Sequence, residues 1–402
     1  MDLPPEMMEN RGKDGLGRQF EWMKKTESIS LSSNELTRVL MTADCVGGVW
    51  TYALDLAESL GDFGVEVLLA TMGPRPSRGQ AAQAAKLSNL QLIESDYKLE
   101  WMDSPWTEVD AAGIWLLDLA RDFDPQIVHL NGFVHAALDW AVPVVVVAHS
   151  CVRSWWQAVK SKPVPAEFDE YSRRVSAALQ QASLVVAPTN AMLNAIDLNY
   201  SPPVPKKVVP NGRSPSLFFS AQKENFIFTA GRLWDEGKGL PFLEQIAPGL
   251  SWPVYAAGAC RQPSGGIPPM THIRALGHLE TDTLACFLSV ASIYAAPAVY
   301  EPFGLTVLEA ALSGCALVLS DLPSFRENWS GAALLLPVND RERWCAALND
   351  LAKNSALRST LARKAFIRAT ELRPAEMGAR YLSTYHQVLS SSAFATMAQN
   401  FV

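Results

Sequence analysis

The sequence predicts an α/β protein made of two similar domains that face each other. Short apolar segments alternate with amphipathic segments along most of the 402 residues, a pattern typical of parallel β-sheets covered by helices on both faces. The alternation runs in two series, which a proline-rich stretch at 201–213 separates. Ligands of such sheets bind beyond the carboxyl ends of the strands, so the cleft between the domains is the expected site.

Composition and net charge exclude several classes of protein. Hydrophobic residues make up 49% and charged residues 19% of the chain, which predicts a large buried core and excludes disorder over the whole length. The net charge of −7 gives no general electrostatic footprint for nucleic acid, so no nucleic-acid partner is expected. No apolar run approaches the roughly 18 to 20 residues of a membrane span, and the N-terminus has no signal-peptide pattern. The six scattered cysteines are expected to be reduced, and the chain is predicted to be cytoplasmic.

The first series of elements follows a polar segment of mixed charge, 1–36, which we predict to be a mobile tail with a short helix around Phe20–Met23. The series forms a first domain over 37–210. Its predicted strands are Val39–Met41, Val65–Ala70, Leu90–Ile93, Ile127–Leu130, Val144–Val147 and Leu184–Ala187. Its predicted helices include Tyr52–Leu60, Val109–Arg121 and Phe168–Gln180.

The boundary between the domains is placed in the stretch 201–213, where four prolines precede the turn signal Asn211-Gly212. The second domain is predicted to span 211–373, and the last segment, 374–402, is predicted to be a helix with a short tail. The predicted strands are Phe226–Thr229, Val254–Ala257, Ile273–Leu276, Ile293–Ala296, Ala316–Leu319 and Ala333–Leu336. The predicted helices include Thr283–Ser289, Leu305–Leu312, Arg341–Leu351, Ala356–Thr370 and Ala375–Leu389.

The strongest functional signal is the segment 300–310, YEPFGLTVLEA, which follows a predicted strand. Gly304 opens a predicted helix, and the free N–H groups at a helix start bind phosphate. A glycine at this point lets the backbone approach a ligand closely. Glu309, inside the helix, is placed to accept two ribose hydroxyls, and Glu301, before it, to accept sugar hydroxyls. The alternative is that Glu301 faces solvent and that Glu309 is favoured only by the helix dipole.

A second signal is the segment 229–240, TAGRLWDEGKGL, after the first strand of the second series. Arg232 and Lys238 would supply fixed positive charge to a diphosphate, the arginine as a planar fork and the lysine as a point charge. The alternative is a surface turn in which these cations pair with Asp235 or Glu236.

Weaker signals in the first domain lie where its strands end. Gly47 and Gly48 form a turn ahead of a helix, but they are not the GxGxxG dinucleotide fingerprint because no third glycine follows. His149 follows the end of one predicted strand. It is either a ligand of the donor site or a histidine whose hydrogen bonds only stabilise the end of that strand. His129 and Asn131 end another strand, and hydrogen bonding in the core explains them equally well.

Tryptophans are frequent in the first domain, and their faces pack against sugar C–H surfaces or apolar aglycones as well as in cores. We predict that an acceptor site is lined by Arg153, Trp155, Trp156 and Trp50.

Together these segments resemble the retaining glycosyltransferases of the family 4 type, from Arg38 to about Leu389. The resemblance implies the GT-B fold, with two Rossmann-like domains, an inter-domain cleft and a C-terminal helix that crosses back to the first domain. Further matches are Ser320-Asp321 after a strand and the following Glu327. Two features depart from the family pattern: the spacing from Arg232 to Lys238 is one residue longer than its commonest version, and Arg261 with the loop 265–269 has no clear match.

The resemblance also assigns roles within the donor site. It implies that Arg232 and Lys238 hold the diphosphate, Glu309 the ribose and Glu301 the donor sugar. The other implied donor contacts are the amides of Phe303, Gly304, Leu305 and Thr306, the turn Gly47-Gly48, the base-facing backbone at His278 and Leu279, and His149 against the donor sugar.

The implied activity is transfer of a hexosyl group from a nucleotide-diphosphate sugar, with a UDP-sugar favoured, to an acceptor hydroxyl with retention of anomeric configuration. No metal or other cofactor is expected, and Asp122-Phe123-Asp124 is predicted to be a helix stop before Pro125. Two alternatives stay open: a catalytically silent nucleotide-sugar-binding or scaffold protein, and a nucleotide-sugar epimerase on the same fold.

The acceptor is expected to be a carbohydrate, a lipid-linked molecule or a small molecule. Relatives that act on lipid-linked acceptors make peripheral association with the inner membrane face an expectation as well. The segment 1–36 carries five basic and seven acidic residues, a balance that does not favour anionic lipid.

Overall fold

Two parallel β-sheets, each covered by helices, form the body of the protein. The computed structural model describes residues 36–259 and 270–399. The predicted tail up to residue 35, Arg261 and the loop 265–269 lie outside the described residues. All elements below belong to 37–402.

The first sheet has seven strands in the order β3-β2-β1-β4-β5-β6-β7 within the described ranges. These strands are β1 (Arg38–Asp44), β2 (Glu66–Met72), β3 (Leu90–Glu94), β4 (Ile127–Leu130), β5 (Val144–Val147), β6 (Leu184–Ala187) and β7 (Lys206–Val208). The second sheet has six, in the order β10-β9-β8-β11-β12-β13. They are β8 (Glu224–Ala230), β9 (Val254–Ala257), β10 (Ile273–Gly277), β11 (Ala291–Ala296), β12 (Ala316–Ser320) and β13 (Leu334–Leu336). The predicted fold class, two Rossmann-like domains, is confirmed.

The α-helices cover both faces of each sheet. In the first part of the chain they are α1 (Gly48–Gly61), α2 (Arg78–Ala84), α3 (Trp106–Phe123), α4 (Val152–Lys160), α5 (Asp169–Gln181) and α6 (Asn190–Tyr200). In the second part they are α7 (Leu240–Ile246), α8 (Thr281–Val290), α9 (Leu305–Leu312), α10 (Pro323–Trp329), α11 (Arg341–Lys353), α12 (Ser355–Ala369) and α13 (Pro374–Gln399). No helix among the described residues is both long and apolar enough to cross a membrane.

Central strands match their predicted bounds because they are buried on both faces. Each residue of β4, β5 and β6 is buried, and a short run of β-branched residues with no polar alternation is the mark of such strands. The edge strand β7 was not predicted. Its residue Lys206 pairs with Val185 of β6 in parallel. The lysines of β7 protect the sheet edge from further pairing, but they also make its sequence resemble that of a loop.

Helix α13 returns to the first domain, as predicted. It packs against α1, where a Cβ atom on Gly378 would lie only 2.1 Å from Oγ of Ser59. Tyr381 and Tyr385 of α13 are fully buried. The C-terminal helix therefore belongs to the core of the first domain, although it follows the second in sequence.

Further contacts join the two domains across the cleft. Glu327 of α10 accepts the backbone N–H groups of Asn190 and Ala191 at 2.9 and 3.2 Å, which satisfies the free N-terminus of α6. The Thr189 hydroxyl donates to the carbonyl of Pro302 at 2.9 Å. These contacts hold the carboxyl ends of the two sheets against each other, where ligands of α/β sheets bind.

Candidate active site

The start of α9 is shaped for the close approach of a ligand. Gly304 precedes it in the left-handed conformation, with φ 91° and ψ 63°, and a Cβ atom there would lie 2.9 Å from Cε1 of Phe325. Phe303 is buried, and Oγ1 of Thr306 accepts a hydrogen bond from the Tyr294 hydroxyl at 2.8 Å. The first N–H groups of a helix have no intrahelical acceptor, so this end can receive an anion.

Two cations from the loop after β8 stand beside that helix end, each held by a carboxylate. Nζ of Lys238 lies 2.6 Å from Oε2 of Glu301, and Nη2 of Arg232 lies 2.8 Å from Oδ2 of Asp235. The Lys238 and Glu301 side chains keep 24% and 14% of their surfaces exposed. They therefore form a pair that a charged ligand can still reach.

Asp235 organises this loop. Its Oδ1 accepts hydrogen bonds from Nε1 of Trp155 at 3.0 Å and from the N–H of Gly237 at 2.9 Å. Burial alone would raise the pKa of Asp235, but the nearby cations Arg232 and Lys238, with these hydrogen bonds, hold it below its usual value. Asp235 is thus a fixed negative charge that orients Arg232.

The glycine turn after β1 reaches the same place from the first domain. A Cβ atom on Gly47 would lie 3.7 Å from Nη1 of Arg232, and one on Gly48 would lie 3.1 Å from Cδ1 of Leu305. The structure therefore brings the predicted donor residues Gly47, Gly48, Arg232 and Leu305 together from both domains.

A buried network of histidines ends at the cleft. Nδ2 of Asn131 donates to the carbonyl of Thr42 at 2.7 Å, so its Oδ1 faces Nε2 of His149 at 2.8 Å and Nε2 of His129 at 3.2 Å. An amide oxygen only accepts, so both Nε2 atoms carry the proton. Nδ1 of His129 then accepts from the Tyr385 hydroxyl at 2.6 Å.

Both histidines of this network are neutral. Burial lowers the pKa of His149 to about 3 and that of His129 to about 4. His149 therefore presents an unprotonated Nδ1, which accepts hydrogen bonds and carries no positive charge.

Glu309 lies in a buried ion cluster. Nε of Arg213 is 2.7 Å from Oε1 of Glu309, and its Nη1 is 3.0 Å from Oδ2 of Asp55; all three side chains are 6% exposed. Burial raises the pKa of Asp55 to about 6, against the opposing effect of Arg213. A ribose hydroxyl at Glu309 would therefore share that carboxylate with Arg213.

A cavity of about 300 Å³ borders this loop and extends into the first domain. Trp155, Trp156 and His149 line it, together with Arg232 and Asp235. Since Trp155 also donates to Asp235, one aromatic side chain connects the wall of the cavity to the cationic loop.

Two predicted acceptor residues do not line this cavity. Trp50 is 3% exposed, on the buried face of α1, and its Nε1 donates to Oε1 of Gln83 at 3.3 Å. Arg153 turns toward α6, where its guanidinium lies 5.7 Å from the ring centroid of Tyr200. Both side chains contact other residues of the first domain rather than this cavity, so their role at an acceptor site stays a prediction.

The predicted base-facing residues lie at the end of β10. The side chain of His278 is 71% exposed and 4.0 Å from Oε1 of Glu280, whereas Leu279 packs against the core of the second domain. Asp124 ends α3 in the left-handed conformation, as expected of a helix stop. No three His, Cys, Asp or Glu side chains among residues 36–259 and 270–399 gather into a group that could hold a metal ion.

Sequence reasoning missed Arg213, Glu100 and Asp44. Arg213 follows the turn Asn211-Gly212, and a cation next to an inter-domain turn was its only signal. Glu100 stands alone between Leu99 and Trp101, and a single carboxylate flanked by apolar residues was its signal. Asp44, at the end of β1, accepts the N–H of Val46 at 2.9 Å.

These features define a class of protein: two facing Rossmann-like domains whose cleft carries an open helix end and two cations. Residues 46–217 match the model for Glycosyltransferase Family 4, and residues 224–354 match the model for Glycosyl transferases group 1. The chain is a family 4-like glycosyltransferase with the GT-B fold.

Two relatives are phosphatidyl-myo-inositol mannosyltransferases. The one from Mycolicibacterium smegmatis is 32% identical over 120 residues, which is 29% of this chain and 31% of the relative. The one from Mycobacterium leprae is 24% identical over 349 residues, 78% of this chain and 86% of the relative. Similarity to the second therefore extends over both domains.

Solved structures share the fold at low sequence identity. The sucrose-phosphate synthase from Thermosynechococcus elongatus has a TM-score of 0.74 at 15% identity and covers 88% of this chain and 100% of that one. WaaG, a glycosyltransferase involved in lipopolysaccharide biosynthesis, has a TM-score of 0.65 at 13% identity and covers 87% and 99%. At such identities the likeness concerns the fold alone.

Proposed function

We propose that this protein transfers a hexosyl group from a nucleotide-diphosphate sugar to an acceptor hydroxyl, with retention of anomeric configuration and without a metal ion. The observation that carries the proposal is the convergence of Arg232, Lys238, the open end of α9 and the turn Gly47-Gly48 at one point of the cleft. Each supplies positive charge or free N–H groups, which together match a diphosphate.

The chemical task of this site is to stabilise a departing diphosphate. The bond between the anomeric carbon and the diphosphate oxygen breaks, and its electron pair leaves with the phosphate. Lys238 and Arg232 neutralise that charge from fixed positions, so little reorganisation accompanies the step. The carboxylate partner of each cation fits this role, since Glu301 and Asp235 keep both side chains in place.

Retention follows from attack on the face from which the diphosphate leaves. The acceptor oxygen forms the new bond to the anomeric carbon, and an oxygen of the departing phosphate takes the acceptor proton. Glu301 would accept hydroxyls of the donor sugar, and His149 would accept one more through Nδ1. A neutral histidine fits this role better than a cationic one, because it does not repel the developing oxocarbenium centre.

The nucleobase and the sugar of the donor are a separate part of the proposal. A UDP-sugar is the first expectation. The two relatives are named for mannosyl transfer, so nucleotide-bound mannose belongs in the same screen. Glu309 would hold the ribose only by sharing its carboxylate with Arg213.

A thermal-shift panel tests the donor site first. UDP, GDP, ADP, CMP and dTDP are added, with and without EDTA, to wild type, Lys238→Ala and the control Lys364→Ala, which changes an exposed lysine of α12. A ligand that binds the folded state raises the melting temperature. We expect one nucleotide to stabilise wild type and the control but not Lys238→Ala, equally with EDTA. No shift with any nucleotide on folded protein would favour a silent scaffold.

Product analysis then separates transfer from the alternatives. The matching nucleotide sugar is incubated with an acceptor panel, and the anomeric configuration of the product is read by NMR. Retention in the transferred sugar supports the proposal, whereas inversion contradicts the mechanism. Nucleotide binding without transfer favours a binding protein, and an altered sugar still attached to its nucleotide favours an epimerase.

A further inference from the structure

Glu100 is a carboxylate that lines the cavity without a counter-ion. It accepts the backbone N–H groups of Phe133 at 3.1 Å and of Val134 at 3.0 Å, and no Lys, Arg or His of the described residues forms an ion pair with it. Lys98 also lines the cavity, but its ammonium lies 3.5 Å from Oε1 of Glu108 and 3.2 Å from the carbonyl of Asp103. Burial raises the pKa of Glu100 to about 7.

The wall around Glu100 is otherwise largely apolar. Its aromatic members are Trp101, Phe133, Trp155, Trp156, Phe168, Tyr171 and Trp234. Burial of apolar surface against such a wall is favourable, whereas each sugar hydroxyl left without a partner there is costly. A volume of about 300 Å³ is at the small end of small-molecule sites. The cavity therefore suits a compact and mostly apolar molecule better than a polysaccharide chain.

We propose, on the basis of the proposed function, that the acceptor is a compact, largely apolar and uncharged alcohol or phenol, one of whose hydroxyls donates to Glu100 while another receives the sugar. The same cavity is lined by Arg232 and His149, so a molecule that fills it touches both Glu100 and the donor side of the cleft. An acceptor with a phosphate group would bring a negative charge to an unpaired carboxylate, which disfavours an inositol phosphate headgroup in this cavity.

The competing interpretation is that Glu100 only satisfies the N–H groups of Phe133 and Val134. Glu100→Gln separates the two, because the amide oxygen still accepts from the backbone while the charge is lost. Glu108→Gln is the matched control: Glu108 is a carboxylate of the same region that pairs with Lys98 and does not line the cavity.

Ligand-observed NMR without nucleotide tests the site apart from catalysis. The probes are 4-(hydroxymethyl)phenol, benzyl alcohol, glucose and myo-inositol 1-phosphate. We expect 4-(hydroxymethyl)phenol to bind wild type and Glu108→Gln best, and to bind Glu100→Gln about tenfold or more weakly. Benzyl alcohol, which has no second hydroxyl, is expected to bind all three proteins alike. Equal binding of the two aromatic probes to every variant, or tighter binding of glucose or the inositol phosphate, overturns the proposal.

Sugar transfer then decides the acceptor role. With the nucleotide sugar from the donor screen, wild type is expected to glycosylate 4-(hydroxymethyl)phenol with a kcat/KM about tenfold or more above that of Glu100→Gln. Glu100-dependent binding without transfer would contradict the acceptor assignment. Transfer to glucose or an inositol phosphate that is insensitive to Glu100→Gln would leave the proposed function intact and refute this inference alone.

Discussion

The hydroxyl of Tyr385 lies 2.6 Å from Nδ1 of His129, although 256 residues separate them in the chain. Tyr385 belongs to α13, whereas His129 lies on β4, in the middle of the first sheet. Through Asn131 this contact reaches His149 at the cleft. The C-terminal helix therefore helps to fix the tautomer of His129, which shares the amide oxygen of Asn131 with the histidine at the cleft.

Replacing Tyr385 by Phe removes the donor to His129 and leaves a buried nitrogen without its partner. We expect a loss of about 1 to 3 kcal/mol in the free energy of unfolding and a fall of about tenfold in kcat with little change in the donor KM. Nitrogen NMR of the histidine rings should show that His129 no longer holds the Nε2–H tautomer alone. Thr384→Val, which removes a hydroxyl bonded only within α13, is the control. A drop in stability without a change in kcat or tautomer would make the contact purely structural.

The Lys238–Glu301 pair predicts opposite effects on diphosphate binding and on transfer. Oε2 of Glu301 lies 2.6 Å from Nζ of Lys238, so a diphosphate competes with Glu301 for the Lys238 ammonium group. Glu301→Gln is expected to tighten binding of the bare nucleoside diphosphate several-fold, about 1 kcal/mol, while kcat falls about 10²-fold because the sugar loses its acceptor. Calorimetric titration and initial rates measure the two effects. Glu342→Gln, an exposed carboxylate on α11, should change neither. Weaker diphosphate binding by Glu301→Gln would refute the competition.

Trp155 couples the cavity to the cationic loop through a single hydrogen bond. Trp155→Phe keeps an aromatic ring in the cavity but removes the N–H that lies 3.0 Å from Oδ1 of Asp235. We expect the donor KM to rise about three- to tenfold, because Asp235 then orients Arg232 less firmly. Steady-state kinetics with varied donor measure this effect. Trp156→Phe is the control, since Nε1 of Trp156 has no hydrogen-bond partner, and it should leave the donor KM unchanged. Equal donor KM values for the two variants would exclude the coupling.

Local sequence patterns predicted the strands that are buried on both faces, because a short run of β-branched apolar residues, such as the four valines of β5, is typical of a buried strand. The loops that we propose to bind the diphosphate were selected for a similar reason: Gly304, Arg232 and Lys238 lie within short segments whose residue types limit their chemistry. The edge strand β7 carries lysines, and its sequence does not differ from that of a loop.

Contacts between distant residues limited prediction of the site. Arg213 is 158 residues from Asp55 and 96 from Glu309, so no local pattern indicates that it shares the carboxylate expected to hold ribose. Trp50 follows the Gly47-Gly48 turn and Trp155 follows the end of β5, yet Trp50 lies on the buried face of α1 and Trp155 lines the cavity. Residue type alone did not separate them, because tryptophan serves in cores and in sugar sites alike.

The buried cluster around Arg213 predicts a large stability change with a defined pH dependence. Arg213→Met leaves the carboxylates of Asp55 and Glu309 buried and uncompensated, which should cost about 3 to 5 kcal/mol. Since loss of the cation removes an effect that lowers the Asp55 pKa, the variant should regain stability as the pH falls and Asp55 is protonated. Urea unfolding at pH 5 and pH 8 measures this. Arg363→Met, at an exposed site of α12, should match wild type. A cost that is the same at both pH values would contradict the uncompensated-charge explanation.

Glu100 predicts a pH-dependent difference between wild type and Glu100→Gln. Burial raises its pKa from 4.5 to about 7, so between these values the folded state holds a proton that the unfolded chain releases. Wild type should therefore lose stability relative to Glu100→Gln as the pH rises from about 4.5 to about 7, by up to about 3 kcal/mol, with no further relative change above that range.

Urea unfolding of both proteins at half-unit pH steps measures this difference. Glu108→Gln is the control: it removes a carboxylate of the same region that is 43% exposed and pairs with Lys98, so it should not reproduce the effect of Glu100→Gln. The result bears on the acceptor site directly, since only a Glu100 that is deprived of solvent and of a counter-ion shows the rise. A constant difference between wild type and Glu100→Gln from pH 5 to pH 8 would mean that the Glu100 carboxylate is ordinarily solvated, which would remove the ground for an acceptor site at Glu100.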